Sequence, residues 1–174
     1  MRIIPALAAM LLATTATTAI AHDHGKTPNL VEAAIASPDH KTLVAAVKAA
    51  NLVDTLAGPG PFTVFAPNDA AFAALPAGTV ATLLQPANLA KLQAVLTYHV
   101  VAGSVTAADV IKAIQAGGGS ASLTTVEGSV LKASLVNGAV VLTDENGGKA
   151  TVIAADVKGS NGIIHVTNAV SLPM

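Results

Sequence analysis

Val130–Asp144 reads VLKASLVNGAVVLTD. Two runs of period two flank Asn137-Gly138, the strongest short signal for a β-hairpin turn. Pairing across that two-residue loop puts Leu131, Ala133, Leu135, Val140 and Leu142 on one face. Lys132, Ser134 and Thr143 fall on the other, so this part of the sheet is expected to be wet on one side. Further turns at Asn146-Gly-Gly148 and Gly159-Ser-Asn-Gly162 lead to strands over 150–155 and 163–170.

Upstream of this stretch the period is helical. Pro28 suits a first helical position after a Thr27 cap, with Leu30, Val31, Ala34 and Ile35 recurring until Ser37-Pro38. A second helix is predicted over 39–50, with Leu43, Val44 and Val47 inward, and a further turn follows Asn51. Phe62-Thr-Val-Phe65 is a short apolar run bounded by turn residues, which fits a buried strand. Asn68 then caps a short helix, and Asp69 places negative charge at its positive end. Pro86 opens the longest predicted helix, to about Tyr98, and Thr106 caps another over 107–116. Helices first and antiparallel strands last argue for an α+β fold, with the last strands returning beside the first.

Composition narrows the function. Hydrophobic residues make up 52 %, charged residues 11 % and aromatics 2 %, which excludes a disordered chain. Without cysteine there is no disulfide, thiolate metal site or thiol nucleophile. A formal net charge of −1 and the lack of any arginine beyond Arg2 leave nothing to attract or read nucleic acid.

Residues 1–21, MRIIPALAAMLLATTATTAIA, read as a secretory signal peptide cut after Ala19-Ile20-Ala21. Nothing later is long and apolar enough to span a membrane. Residues 22–28 form a polar lead-in, and 29–174 one domain. Cleavage after Ala21 would expose an amino terminus of His22-Asp23-His24. Its amine, two backbone nitrogens and the His24 imidazole form a square-planar set suited to Cu(II) or Ni(II), with His22 beside it.

Catalytic motifs are missing. Gly25-Lys-Thr27 lacks the earlier glycine of a phosphate loop, and Gly118-Gly-Ser120-Ala-Ser122 lacks the last glycine of a nucleophile elbow. No acid pair is placed as in a glycosidase, so no catalytic residue and no cofactor are assigned. His40, near a helix start among charged neighbours, is expected to face solvent. His99 and His165, amid apolar residues, are expected to be buried and hydrogen-bonded.

Three phrases resemble one family in order and spacing: GPFTVFAPNDAAFAALPAGT (Gly60–Thr79), LTYHVVAG (Leu96–Gly103) and NGIIHVTNAVSLP (Asn161–Pro173). Together they resemble the fasciclin domain, from about Asn29 to Pro173, and in particular its single-domain, secreted bacterial members. The resemblance implies a wedge of helices packed on a β-sandwich-like pair of mainly antiparallel sheets. It implies no enzyme but an exported module for cell-surface or matrix adhesion, biofilm or symbiosis, with an unidentified protein or cell-surface partner. Carried over by position, Phe62, Phe65, Asn68, Asp69 and Phe72 belong to the first structural motif, and Gly162 and His165 to the second. Tyr98-His99 is the pair implicated in adhesion in animal relatives. Some secreted relatives bind carotenoids, so a small apolar ligand is the alternative.

Overall fold

The structure, a computed structural model, describes residues 27–174. The predicted signal peptide and the His22/His24 metal site lie outside the described residues.

The helical half comprises α1 (Leu30–Ala36), α2 (Lys41–Ala49), α3 (Val53–Ala57), α4 (Asp69–Ala73), α5 (Thr79–Leu83) and α6 (Leu89–Tyr98), the last preceded by a 3₁₀ turn at Pro86–Asn88. Two strands interrupt it, β1 (Phe62–Pro67) and β2 (Val100–Ala102). After α7 (Ala107–Ala116) come β3 (Ser120–Thr124), β4 (Val130–Val136), β5 (Ala139–Thr143), β6 (Lys149–Gly159) and β7 (Gly162–Thr167).

The strands form one seven-stranded sheet in the order β2-β1-β7-β6-β5-β4-β3. The return of the last strand to the first is parallel: β7 pairs β1 over Phe62↔Gly162 to Pro67↔Thr167, and the other named strand pairs are antiparallel. The sandwich-like pair of sheets that the resemblance implies is present as two halves, β2-β1-β7-β6 and β6-β5-β4-β3, made continuous by β6, which belongs to both. Lys149–Thr151 pair with β5, while the strand from Val152 onward pairs with β7 across two register shifts. Such bulges bend a strand and sharpen its twist. The bend brings the far edges together, where Val101 bridges Thr125 and the Val126 N–H donates to the Val100 carbonyl at 2.7 Å.

Two apolar clusters lie on opposite faces of the central strands. Val64, Ala66 and Ile164 meet Leu30, Leu43, Val47, Leu56, Phe72, Leu92 and Leu96 on the helical side. Phe65 meets Tyr98, Val110, Ile114, Leu131, Val140 and Leu142 on the other. Strands covered on both faces need no polar alternation, hence the mainly apolar runs FTVF and GIIHV. In the β4–β5 hairpin only β4 alternates, with Lys132 exposed and Ser134 half-buried on its second face; β5 is buried on both faces over 140–142, so the wet face expected from the sequence is confined to β4 and the ends of β5. The hairpin turn has Asn137 at φ 52 and Gly138 at φ 80, as a mirror-image turn requires.

Four sequence expectations are corrected. Asn29, not Thr27, caps α1: its side chain accepts the Glu32 N–H while the Glu32 carboxylate accepts the Asn29 N–H. Pro28 therefore stays outside the helix, its carbonyl accepting the Ser160 N–H. Leu135, placed on the core face by alternation, is 40 % exposed because the hairpin tip runs past the end of the core. His40 is buried at 5 % exposure, since the Ser37–His40 turn folds against the sheet and its Nδ1 meets the Ser37 hydroxyl at 2.7 Å. The five-residue helix α5 is too short to show a period in the sequence.

Candidate functional site

The two long motifs meet where β1 lies beside β7, with the Tyr98-His99 pair at the end of α6. Glycine makes this approach possible. A Cβ on Gly162 would fall inside the van der Waals radius of the Phe62 carbonyl, and one on Gly60 would strike the Asn161 carbonyl.

Polar side chains then tie the surrounding loops to this seam. Asn161 accepts the Leu30 N–H at 2.9 Å and donates to the Leu56 and Gly58 carbonyls at 2.6 and 2.9 Å. One amide thereby joins the β6–β7 turn to the start of α1 and the end of α3. Thr63, fully buried, donates to the Gly103 carbonyl at 2.6 Å and accepts the Val105 N–H at 2.8 Å. Asn68 caps α4 by accepting the Ala71 N–H at 2.8 Å, as its sequence context predicts. Asp69 reaches across and accepts the Thr42 N–H at 2.8 Å, capping α2, whose own N-cap residue His40 makes no side-chain cap. Burial alone would raise the Asp69 pKa. The hydrogen bonds from Thr42 and Lys41, with the field of His40, outweigh it and hold the carboxyl below its ordinary value. Phe72 and the half-buried Phe62 pack on the helical side, and Phe65 on the other.

Both motif histidines are buried and hydrogen-bonded at both ring nitrogens. His165 accepts the Asp156 N–H at Nδ1 (3.2 Å), so Nε2 carries the proton and donates to the Val105 carbonyl at 2.8 Å. Its ring stacks on Phe65, with centroids 5.4 Å apart. His99 has the opposite tautomer: Nε2 accepts the Ser171 N–H at 3.0 Å, and Nδ1–H donates to the Val95 carbonyl at 2.7 Å. Burial pushes the His99 pKa below its ordinary value. Tyr98 is 0 % exposed and its hydroxyl makes a long 3.4 Å hydrogen bond to the Val130 carbonyl. Burial raises its phenol pKa, and the charges of Asp144, Glu145 and Glu127 act in the same direction. Tyr98 and His99 therefore shape the fold beneath whatever surface a partner meets.

Two residues that sequence reading did not single out complete the arrangement. Asp156, at φ 59, turns its carboxylate onto the Ala107 N–H at 2.9 Å and caps α7. Asp144 accepts the N–H groups of Asn146, Gly148 and Leu172. Their partners lie in other elements or across turns, and no local spacing announces them. With its carboxylate occupied by backbone donors, Asp144 does not present a metal ligand despite its Asp-x-Asn-Gly setting. Among the described residues no three His, Cys, Asp or Glu side chains are grouped to hold a metal.

The open space divides by character. Beneath α1 lie two apolar cavities of about 40 and 80 Å³ that share Ala34, Ala66 and Ile164 as walls. At the surface, where the motifs meet, Pro59–Pro61, Ser104, Thr106 and Lys158–Ile163 line a groove of about 610 Å³. Hydroxyls, backbone and one lysine give it the means to bind by hydrogen bonding. One hydroxyl of its walls, that of Thr106, donates to the Asp109 carboxylate at 2.7 Å as part of the capping box that starts α7.

These features define an α+β domain whose buried polar residues serve its architecture. A family model described as the fasciclin domain matches residues 38–173, and the chain belongs to that family. It is 50 % identical over 144 residues to protein sll1483 of Synechocystis sp., covering 83 % of this chain and 73 % of that protein. It is 36 % identical to the immunogenic protein MPB70 of Mycobacterium bovis, covering 81 % of this chain and 67 % of that one. The fold is shared with a FAS1 domain pair of the insect cell adhesion molecule fasciclin I, at a TM-score of 0.73 and 22 % identity over 84 % of this chain and 51 % of that one. No helix among the described residues is long and apolar enough to cross a membrane.

Proposed function

We propose that the protein is an exported, non-enzymatic contact module that works outside the cytoplasm in cell-surface or matrix adhesion, of the kind used in biofilms or symbiosis. The observation that carries this reading is the state of the motif side chains. Thr63, Asn161, His99 and His165 each hold backbone groups of their own fold, which leaves none free to move a proton or attack a substrate. The fasciclin-family assignment, and the shared fold with a cell adhesion molecule, support the same reading.

The motif groove is the contact surface we assign. Its rim combines Ser104, Ser160 and Lys158 with no aromatic residue and little charge, so steering by long-range fields is weak. The apolar-ligand alternative is less well served. Cavities of about 40 and 80 Å³ are far below the roughly 300–1,000 Å³ of a pocket for a drug-sized molecule. A carotenoid or lipid would have to lift α1.

Beads coated with residues 22–174 test the proposal. They should adhere to the producing cells or their envelope, while the purified protein should be colourless and free of extractable lipid. A coloured or lipid-loaded preparation that gives no adherence would replace the contact reading with the ligand one.

A further inference from the structure

We propose that His99 latches the C-terminal strap, residues 168–173, onto the body of the domain, and that acid opens this latch. The strap is held at several points along its length. Asn168 exchanges two hydrogen bonds with Thr151, its N–H donating to the Thr151 carbonyl at 3.1 Å and its side chain accepting the Thr151 N–H at 2.9 Å. Ala169 packs into the cluster under α7 and Val170 into the helical cluster, so the strap spans both cores. Ser171, 2 % exposed, donates its N–H to His99 Nε2, and Leu172 donates to Asp144 Oδ2 at 3.0 Å. Asn146 closes the far end by donating to the Leu172 carbonyl at 2.9 Å.

Only the neutral His99 ring can make this connection. A proton on Nε2 would set one N–H against another at a site with 3 % exposure, and the Ser171 amide would lose its acceptor. The Nδ1 side offers no alternative, because it is committed to the Val95 carbonyl. The groups facing the ring are few. Asp144, from the β5–β6 turn, favours the proton electrostatically but already holds Leu172. Lys48 of α2 lines the same small cavity as His99. The Tyr98 ring meets it edge-on, and the strap itself presents main chain.

Linkage then fixes the direction. Burial lowers the His99 pKa in the closed form, while an opened strap frees the ring to titrate near the ordinary value of about 6.5. The open form therefore binds more protons. The latch is fully closed above about pH 6.5 and weakens as pH falls below it, by up to about tenfold per pH unit until the closed-form pKa is reached.

Amide hydrogen exchange on residues 22–174 measures this directly. After correction for intrinsic rates, the Ser171 and Leu172 amides should lose protection between about pH 7 and pH 5, while Ile164 in β7 stays protected. His99→Gln keeps a neutral donor and acceptor, and should protect Ser171 independently of pH. Asp144→Asn should leave the pH dependence of Ser171 in the histidine range. In the wild type, the ¹⁵N shifts of the His99 ring should report a protonated Nδ1 at neutral pH and change with the same midpoint as the Ser171 amide. That measurement stands even if a variant fails to fold. Ser171 protection that is flat over this range, survives as a pH dependence in His99→Gln, or is lost only together with Ile164 would overturn the proposal.

Discussion

Strands β1 and β7, at the centre of the sheet, and strands β4 and β5, in its outer half, share one hydrogen-bonded sheet and differ in almost everything else. The central pair is buried on both faces, between the helical cluster and the cluster under α7. Each of its positions faces something, and polar side chains there, Thr63 and His165, are matched donor for acceptor. The outer pair has one face in the core, while the other is mixed: Lys132 is exposed, Ser134 and Thr143 are half-buried, and Val141 is buried. The sequence phrases that resemble the family fall on the central pair and its supports. What they preserve is the geometry of a seam between two cores. The difference teaches that the recognisable residues of this domain are read as architecture, and that a contact function has to be sought on the surface around them.

The largest expected effect is at the seam. Gly162→Ala would force a methyl carbon into the Phe62 backbone and should cost about 4 kcal/mol or more, measured by urea unfolding. If the variant keeps wild-type stability, the close approach of β1 and β7 is not a constraint. Next comes a contrast within one strand and one face. Leu131, 0 % exposed, and Leu135, 40 % exposed, both point toward the core by alternation. Leu131→Ala should lose about 3 kcal/mol and Leu135→Ala under about 1. Equal losses would mean that the hairpin tip is packed against something in solution. The smallest effect belongs to the wet face, where Lys132→Thr should stay within about 0.5 kcal/mol of the wild type. A larger change there would show that the outer face is not free.

The legible parts of the fold are those set by neighbours in sequence. Asn137-Gly138 specifies its turn through the left-handed backbone it tolerates, and Asn68 and Thr106 specify helix starts through side chains that reach N–H groups three residues on. The mainly apolar character of Phe62–Phe65 and Ile163–Val166, without a period of two, marks strands covered twice. What stayed hidden depends on distant partners. Asn161 bonds to Leu30 and Leu56, more than a hundred residues away. Asp156 caps a helix that begins 49 residues earlier, and His40 is buried by a turn packing on the sheet rather than by its own surroundings in the chain. The bend at β6 was hidden too, because a bulge shows in pairing and not in composition. For the site, burial of His99 and His165 could be read from their apolar neighbours. Their opposite tautomers could not, since the donors are the backbone amides of Ser171 and Asp156.

A paired measurement of adherence and stability tests the central claim, that motif residues hold the fold while the surface makes contact. Thr63→Val removes the bonds to Gly103 and Val105, while Lys158→Glu with Ser160→Trp remodels the groove rim. Thr63→Val should lower the Tm and leave coated beads adherent at temperatures where the variant is folded. The groove variant should keep the wild-type Tm and lose adherence. Normal adherence by the groove variant, together with loss of adherence by a fully folded Thr63→Val, would contradict the account.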